Sequence, residues 1–143
     1  MPMFDFMNVI RALGDENRIR ILMALHDQSM CVCQVTGFLD LSPSTTSKHL
    51  SILRQARLIE SKKRGKWVYY RLAEGEHVSE LVRDALQLVR DGAGSEQIIL
   101  EDAKRIRDII AREQAFLGAD EDELALEKYH SLEIHSLSDN ETE

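Results

Sequence analysis

Apolar residues recur at three- and four-residue spacing through most of this chain, and give way in one short stretch to a β-branched and aromatic run. Met3, Phe6, Met7, Ile10 and Leu13 predict an amphipathic helix over residues 3–13, ended by Gly14. Asp15 stands where a helix N-cap belongs, with Glu16 in the first turn, so residues 17–25 read as a second helix, buried on most sides. A third, of one to two turns, is expected over about 30–39 after the polar break at 27–29. Ser42 followed by Pro43 opens a fourth, a capping hydroxyl and then a ring that suits the first helical position. In a helical projection Thr46, Leu50, Leu53 and Arg57 fall on one side of it, and Ser44, Ser47, Lys48 and Ser51 on the other.

Residues 58–61 and 67–72 then switch to strand-forming types around Lys62-Lys63-Arg64-Gly65-Lys66, which predicts a hairpin with a basic tip. Helices are expected again over about 76–90 and 96–116, separated by a loop at 91–95. The fold class is therefore mainly α with a β-hairpin wing, a winged helix-turn-helix. Ile99, Ile106, Ile109, Ile110 and Phe116 form a longer apolar stripe than one small domain can cover. With the 3–13 helix, that stripe predicts a homodimer interface.

Charge sharpens the picture. The 143 residues carry a formal net charge of −7, yet residues 41–72 hold eight cations against the single acid Glu60, a local net of +7. A basic stretch on an acidic chain is the footprint of a polyanion-binding face. A serine-rich helix start is by itself an ordinary cap, and a lysine-rich hairpin an ordinary solvated edge. Together and in this order they point to DNA: a helix lined with short hydroxyls and one cation fits the major groove. From residue 119 onward nine acids face the lone base Lys128. This divides the chain into a DNA-binding and dimerisation domain, 1–118, and an acidic tail, 119–143, expected to be flexible or partly helical.

No apolar run approaches the roughly 20 residues of a membrane span, and Asp5 stands where a signal peptide would be basic and then apolar, so no membrane partner and a cytoplasmic setting are expected. Two cysteines one residue apart, Cys31 and Cys33, make a poor disulfide framework and read as ligands or redox groups. No phosphate cradle or nucleophile–base constellation accompanies them, which argues against an enzyme.

Three segments carry a resemblance: ALGDENRIRILMAL (12–25), CVC (31–33) and LSPSTTSKHLSILRQARLIE (41–60) resemble the ArsR/SmtB family of metal-responsive bacterial repressors. The resemblance extends over about residues 4–116. It implies a homodimer that binds double-stranded operator DNA, blocks transcription and lets go on binding an inducer, with no cofactor required for DNA binding. It places base contacts on Ser44, Ser47 and Lys48, with Thr45, His49 and Ser51 next, and wing contacts on Lys62, Lys63, Arg64 and Lys66. The arsenic-responsive branch adds a third cysteine three residues after the CVC, where this chain has Thr36. The resemblance thus implies As(III) or Sb(III) as inducer, with Cys31 and Cys33 as metal ligands and a third ligand from outside or, weakly, from His26.

On a regular helix residues 31 and 33 project about 200° apart, so their sulfurs meet only if the helix start is unwound. The expectation is that a bound metalloid draws them together and distorts the helix that positions residues 44–48. A thiol redox or persulfide switch would use the same two cysteines. A winged helix that binds only protein is a further alternative, but it has no use for the local +7.

Overall fold

The computed structural model describes residues 2–117; the acidic tail expected over 119–143 lies outside the described residues. Helix α1 (Met3–Leu13) ends at Gly14 as the spacing predicts. Helix α2 (Glu16–Ala24) starts from Asp15, whose carboxylate accepts the Arg18 N–H at 3.1 Å. The next element departs from expectation. Met30–Cys31 forms a short strand, β1, and helix α3 begins only at Val32 (Val32–Leu39). Cys31 is extended at φ −85° and ψ 167°, because it stands opposite Tyr69 in a strand pair instead of winding into a helical turn.

Asp40 takes a left-handed φ of 57° to end α3, and two residues later Ser42 caps helix α4 (Pro43–Gln55), accepting the Thr45 N–H at 3.0 Å. Thr46, Leu50 and Leu53 are fully buried, as the projection predicts. Arg57 corrects it. The helix stops at Gln55, and Arg57, at φ 65°, is exposed in a closing turn in which the Leu58 N–H donates to the Leu53 carbonyl.

Strands β2 (Ile59–Arg64) and β3 (Trp67–Leu72) pair antiparallel, Ile59 against Leu72 and Arg64 against Trp67. The pairing runs closer to the tip than the sequence indicates, leaving a two-residue turn in which Gly65 holds a φ of 62°, a conformation only glycine adopts freely. β1 adds to the other edge of β3, with Cys31 opposite Tyr69, so the sheet order is β1-β3-β2.

Helix α5 (Glu80–Ala93) starts later than the expected residue 76, since Gly75 at φ 104° breaks the chain and Ser79 caps at Val82. It also runs through much of the expected loop. Helix α6 (Gln97–Leu117) packs on α2 and α3. Gly37 permits that approach: a side-chain carbon there would lie 3.1 Å from Ile109 Cδ1. One core, centred on Ile21, Leu22, Met30, Phe38, Leu50, Leu53 and Leu58, joins all of these elements. No helix among the described residues is long and apolar enough to cross a membrane.

A buried ion pair fastens α2 to α6. Arg20 donates from Nε and Nη2 to the two oxygens of Asp102, both at 2.8 Å, in a bidentate fork with the carboxylate almost wholly enclosed. Breaking such a pair strands a buried charge. Asp102→Ala is therefore expected to lower unfolding free energy by about 3 kcal/mol in urea titrations, whereas exposed Asp108→Ala should change it by less than about 0.5 kcal/mol.

Candidate nucleic-acid interface and thiol site

Helix α4 stands out from the body on its serine-bearing side. Ser44, Thr45, Ser47, Lys48 and Ser51 are all exposed, while the opposite side is core. Not all of these hydroxyls are equally available. The Ser42 hydroxyl donates to Thr45 Oγ1 at 2.8 Å and shares a 3.2 Å hydrogen bond with Ser44 Oγ, so Ser44 and Thr45 belong partly to the cap. Ser47, Lys48 and Ser51 project from the next turn. His49 is half-buried and turns inward, its Nδ1 3.2 Å from Arg18 Nη1. Arg18 also donates to the Ala12 and Arg11 carbonyls at the end of α1. This places His49 between the reading helix and the scaffold rather than on the outer face.

In the wing, Lys62, Lys63, Arg64 and Lys66 are all exposed. Strand alternation sends Lys62 and Arg64 to one face and Lys63 to the other. The Arg64 guanidinium lies 5.9 Å from the Tyr69 ring centroid, a cation–π contact that steadies the tip. The wing is therefore basic on both faces instead of forming a single row.

The two cysteines meet. Cys31 Sγ and Cys33 Sγ are 2.8 Å apart, with Cys31 1% and Cys33 4% exposed. Their convergence follows directly from β1: because Cys31 is the extended N-cap and Cys33 lies in the first turn of α3, the 200° separation of a regular helix never arises. The expectation that a ligand must draw the sulfurs together is thereby corrected. The hydrogen bond to Cys31, and then burial, hold the Cys33 thiol far above its ordinary range. Burial likewise pushes the neighbouring Tyr69 hydroxyl upward.

Thr36, at the position of the missing third cysteine, is fully buried and donates to the Val32 carbonyl at 2.7 Å. Its hydroxyl is committed to its own helix. His26 is exposed at the end of α2. Among the described residues no cluster of three or more His, Cys, Asp or Glu side chains is arranged to hold a metal ion.

Sequence reasoning missed Gln34 and Glu113. Gln34 Oε1 accepts the Cys31 N–H at 3.1 Å, and its Nε2 donates to Glu113 Oε2 at 2.8 Å, with both side chains buried. The signals were present. Gln34 stands three residues after the N-cap, the capping-box spacing with cysteine in place of serine. Glu113 continues the inner stripe of Ile106 and Ile109 at helical spacing.

The comparisons fit this geometry. Residues 15–61 match the model of the bacterial regulatory protein, arsR family. The cadmium resistance transcriptional regulatory protein CadC homolog of Staphylococcus aureus is 37% identical over 90 residues, covering 62% of this chain and 74% of that protein. This chain belongs to the arsR family. The arsenic resistance transcriptional regulator ArsR1 of Pseudomonas putida is 40% identical over 65 residues, covering 45% of this chain and 51% of that protein. The chain spans about half the length of several of the curated relatives it matches. Among solved structures, HlyU from Vibrio cholerae N16961 superposes with a TM-score of 0.54 at 27% identity, covering 64% of this chain and 94% of that one. The curated relatives are regulators of transcription rather than enzymes, and the fold is a winged helix-turn-helix.

The raised Cys33 thiol gives a signed pH dependence. A thiol held protonated in the fold stabilises it below the ordinary thiol range, about 8.5, and that contribution is lost as pH rises above it. Unfolding free energy should therefore fall between about pH 8 and 9.5, below the tyrosine range, by up to about 1.4 kcal/mol per unit. Cys33→Ser should flatten that slope in urea titrations.

Proposed function

We propose that this arsR-family chain is a homodimeric, cytoplasmic transcriptional repressor that reads operator DNA with α4 and the wing and is released by trivalent arsenic or antimony bound to Cys31 and Cys33. The observation that carries this reading is the 2.8 Å pair of buried sulfurs at the start of α3, one short turn from the reading helix. Ser47, Lys48 and Ser51 are the groups best presented to base edges, with Ser44 and Thr45 beside them and Lys62, Lys63, Arg64 and Lys66 on phosphates. His49 positions α4 through Arg18. The second copy covers the exposed apolar residues Met3, Phe4, Phe6 and Ile10 of α1 and Leu100 and Phe116 of α6.

Proton balance favours the metalloid over a divalent cation. Arsenous acid and two thiols give a dithiolate with one hydroxyl left on arsenic and two waters, so the thiol protons leave as water. A cadmium ion would instead have to expel two protons from the buried pair, of which the Cys33 thiol holds its own tightly. The hydroxyl supplies the third position, which Thr36 does not. Two sulfurs on one centre with bonds of about 2.3 Å stand roughly 3.5 Å apart. Bridging by one metalloid centre therefore fixes the separation of the pair, and with it the setting of Cys31 at the N-cap of α3 and, through α3 and the short turn at Asp40, of α4.

The same sulfur proximity supports a second reading, oxidation of the pair by peroxide to a disulfide with release of two waters, or its persulfide counterpart. The strained ring of a C-x-C disulfide opposes it.

Fluorescence anisotropy of the reduced protein on its own promoter DNA separates these readings. Arsenite should weaken wild-type binding by about a hundredfold, equivalent to about 2.7 kcal/mol, and should leave Cys31→Ser and Cys33→Ser bound. Release by peroxide or polysulfide but not by arsenite would establish the second reading. Lys48→Ala should weaken DNA binding by about 1–3 kcal/mol without arsenite; an unchanged affinity would remove α4 from the interface.

A further inference from the structure

Gln34 has an unusual double attachment. It lies 8% exposed, accepts the N–H of Cys31 with its Oε1, and donates from Nε2 to Glu113, a carboxylate 9% exposed on α6. One side chain thus ties the peptide at the thiol pair to the helix that carries Leu100 and Phe116 on its outer face. A buried, charge-assisted hydrogen bond of this kind is strong and directional. It is also worth little as plain packing, because two apolar residues of similar volume would fill the space without burying a carboxylate.

We propose that Gln34 and Glu113 couple the thiol pair to α6, so that inducer binding at the sulfurs is transmitted to the dimer-forming helix as well as to α4. The inference rests on the reading of Cys31 and Cys33 as the sensing site. When an inducer bridges the sulfurs, Cys31 turns about its extended backbone and its N–H swings with it. Gln34 must follow or lose that bond. In following, it shifts the Nε2 donor against Glu113, and α6 moves or the ion–dipole contact breaks. Either way the two copies change their relative setting, and with it the spacing of the two reading helices on a two-fold operator. Gln34 is a positioning residue here. It acts through Cys31 and Glu113 and touches neither DNA nor inducer.

Three variants separate coupling from structure. Gln34→Glu keeps an acceptor for the Cys31 N–H and sets a second carboxyl against Glu113 in place of the amide donor. The double variant Gln34→Met with Glu113→Met replaces the link by apolar volume and removes the acceptor of the Cys31 N–H as well. Glu113→Gln keeps an acceptor and should behave as wild type. The probe is phenylarsine oxide, which condenses with two thiols to a cyclic dithiolate and one water and loads the pair whatever its natural inducer; mass spectrometry verifies one adduct per chain. For each variant the ratio of promoter-DNA affinities with and without adduct is measured, which cancels any change in DNA affinity itself.

The expected ratio is about a hundredfold for wild type and Glu113→Gln, and below about fivefold for Gln34→Glu and the double variant. A wild-type ratio in the last two overturns the coupling. Amide hydrogen exchange over residues 109–117 provides a second readout that needs no DNA. The adduct should change exchange there in wild type and not in Gln34→Glu. Were the wild-type adduct to keep its DNA, the sensing reading would fall, and exchange would still decide the link: an equal response in both proteins overturns it.

Discussion

Everything distinctive in this molecule follows from the extended backbone at Cys31. Had α3 begun two residues earlier, the sulfurs of Cys31 and Cys33 would point to opposite sides of a helix. Pairing of Met30 with Tyr70 and of Cys31 with Tyr69 holds the chain extended at that point, and the helix has to start after it. One short edge strand therefore builds the dithiol, buries it and sets it against Gln34. It also fixes where α3 starts, while Asp40 and Ser42 set where it ends and where α4 begins.

That constraint was only partly legible in the sequence. Periodicity located α1, α2, α4 and α6 within a residue or two, because each has a strong apolar stripe and a distinct cap or stop, Asp15 and Ser42 above all. The hairpin was legible from its aromatic strand and Gly65. β1 was not. Two apolar residues continuous with a helical run carry no period of their own, and their strand character comes from β3, forty residues away. The late start of α5 has a similar origin, since Ser79 is a better cap than anything at residue 76.

The candidate sites divide the same way. The exposed hydroxyls and cations of α4 and the wing could be projected, because a helix and a hairpin each show a regular face. His49 could not be placed, because its orientation depends on Arg18, which lies on another helix. The inner side of α6 shows how much a mixed stripe conceals. Asp102 and Glu113 occupy positions that spacing assigns to the core, and each is buried because a partner on α2 or α3 satisfies it. A charged residue in an apolar stripe reads as an interruption until its partner is known. Here it marks two of the points at which α6 is fastened to the DNA-reading body.

If DNA and a thiophilic inducer favour different settings of α3, linkage requires their effects to be reciprocal. The most direct test is to titrate arsenite into the free reduced protein and into the same protein saturated with promoter DNA, following the sulfur–arsenic absorbance. The arsenite affinity should be lower on DNA by the same factor, about a hundredfold, by which arsenite weakens DNA binding. Equal arsenite affinity in the free and DNA-bound protein would contradict the account, since the thiol pair would then be indifferent to where α4 sits.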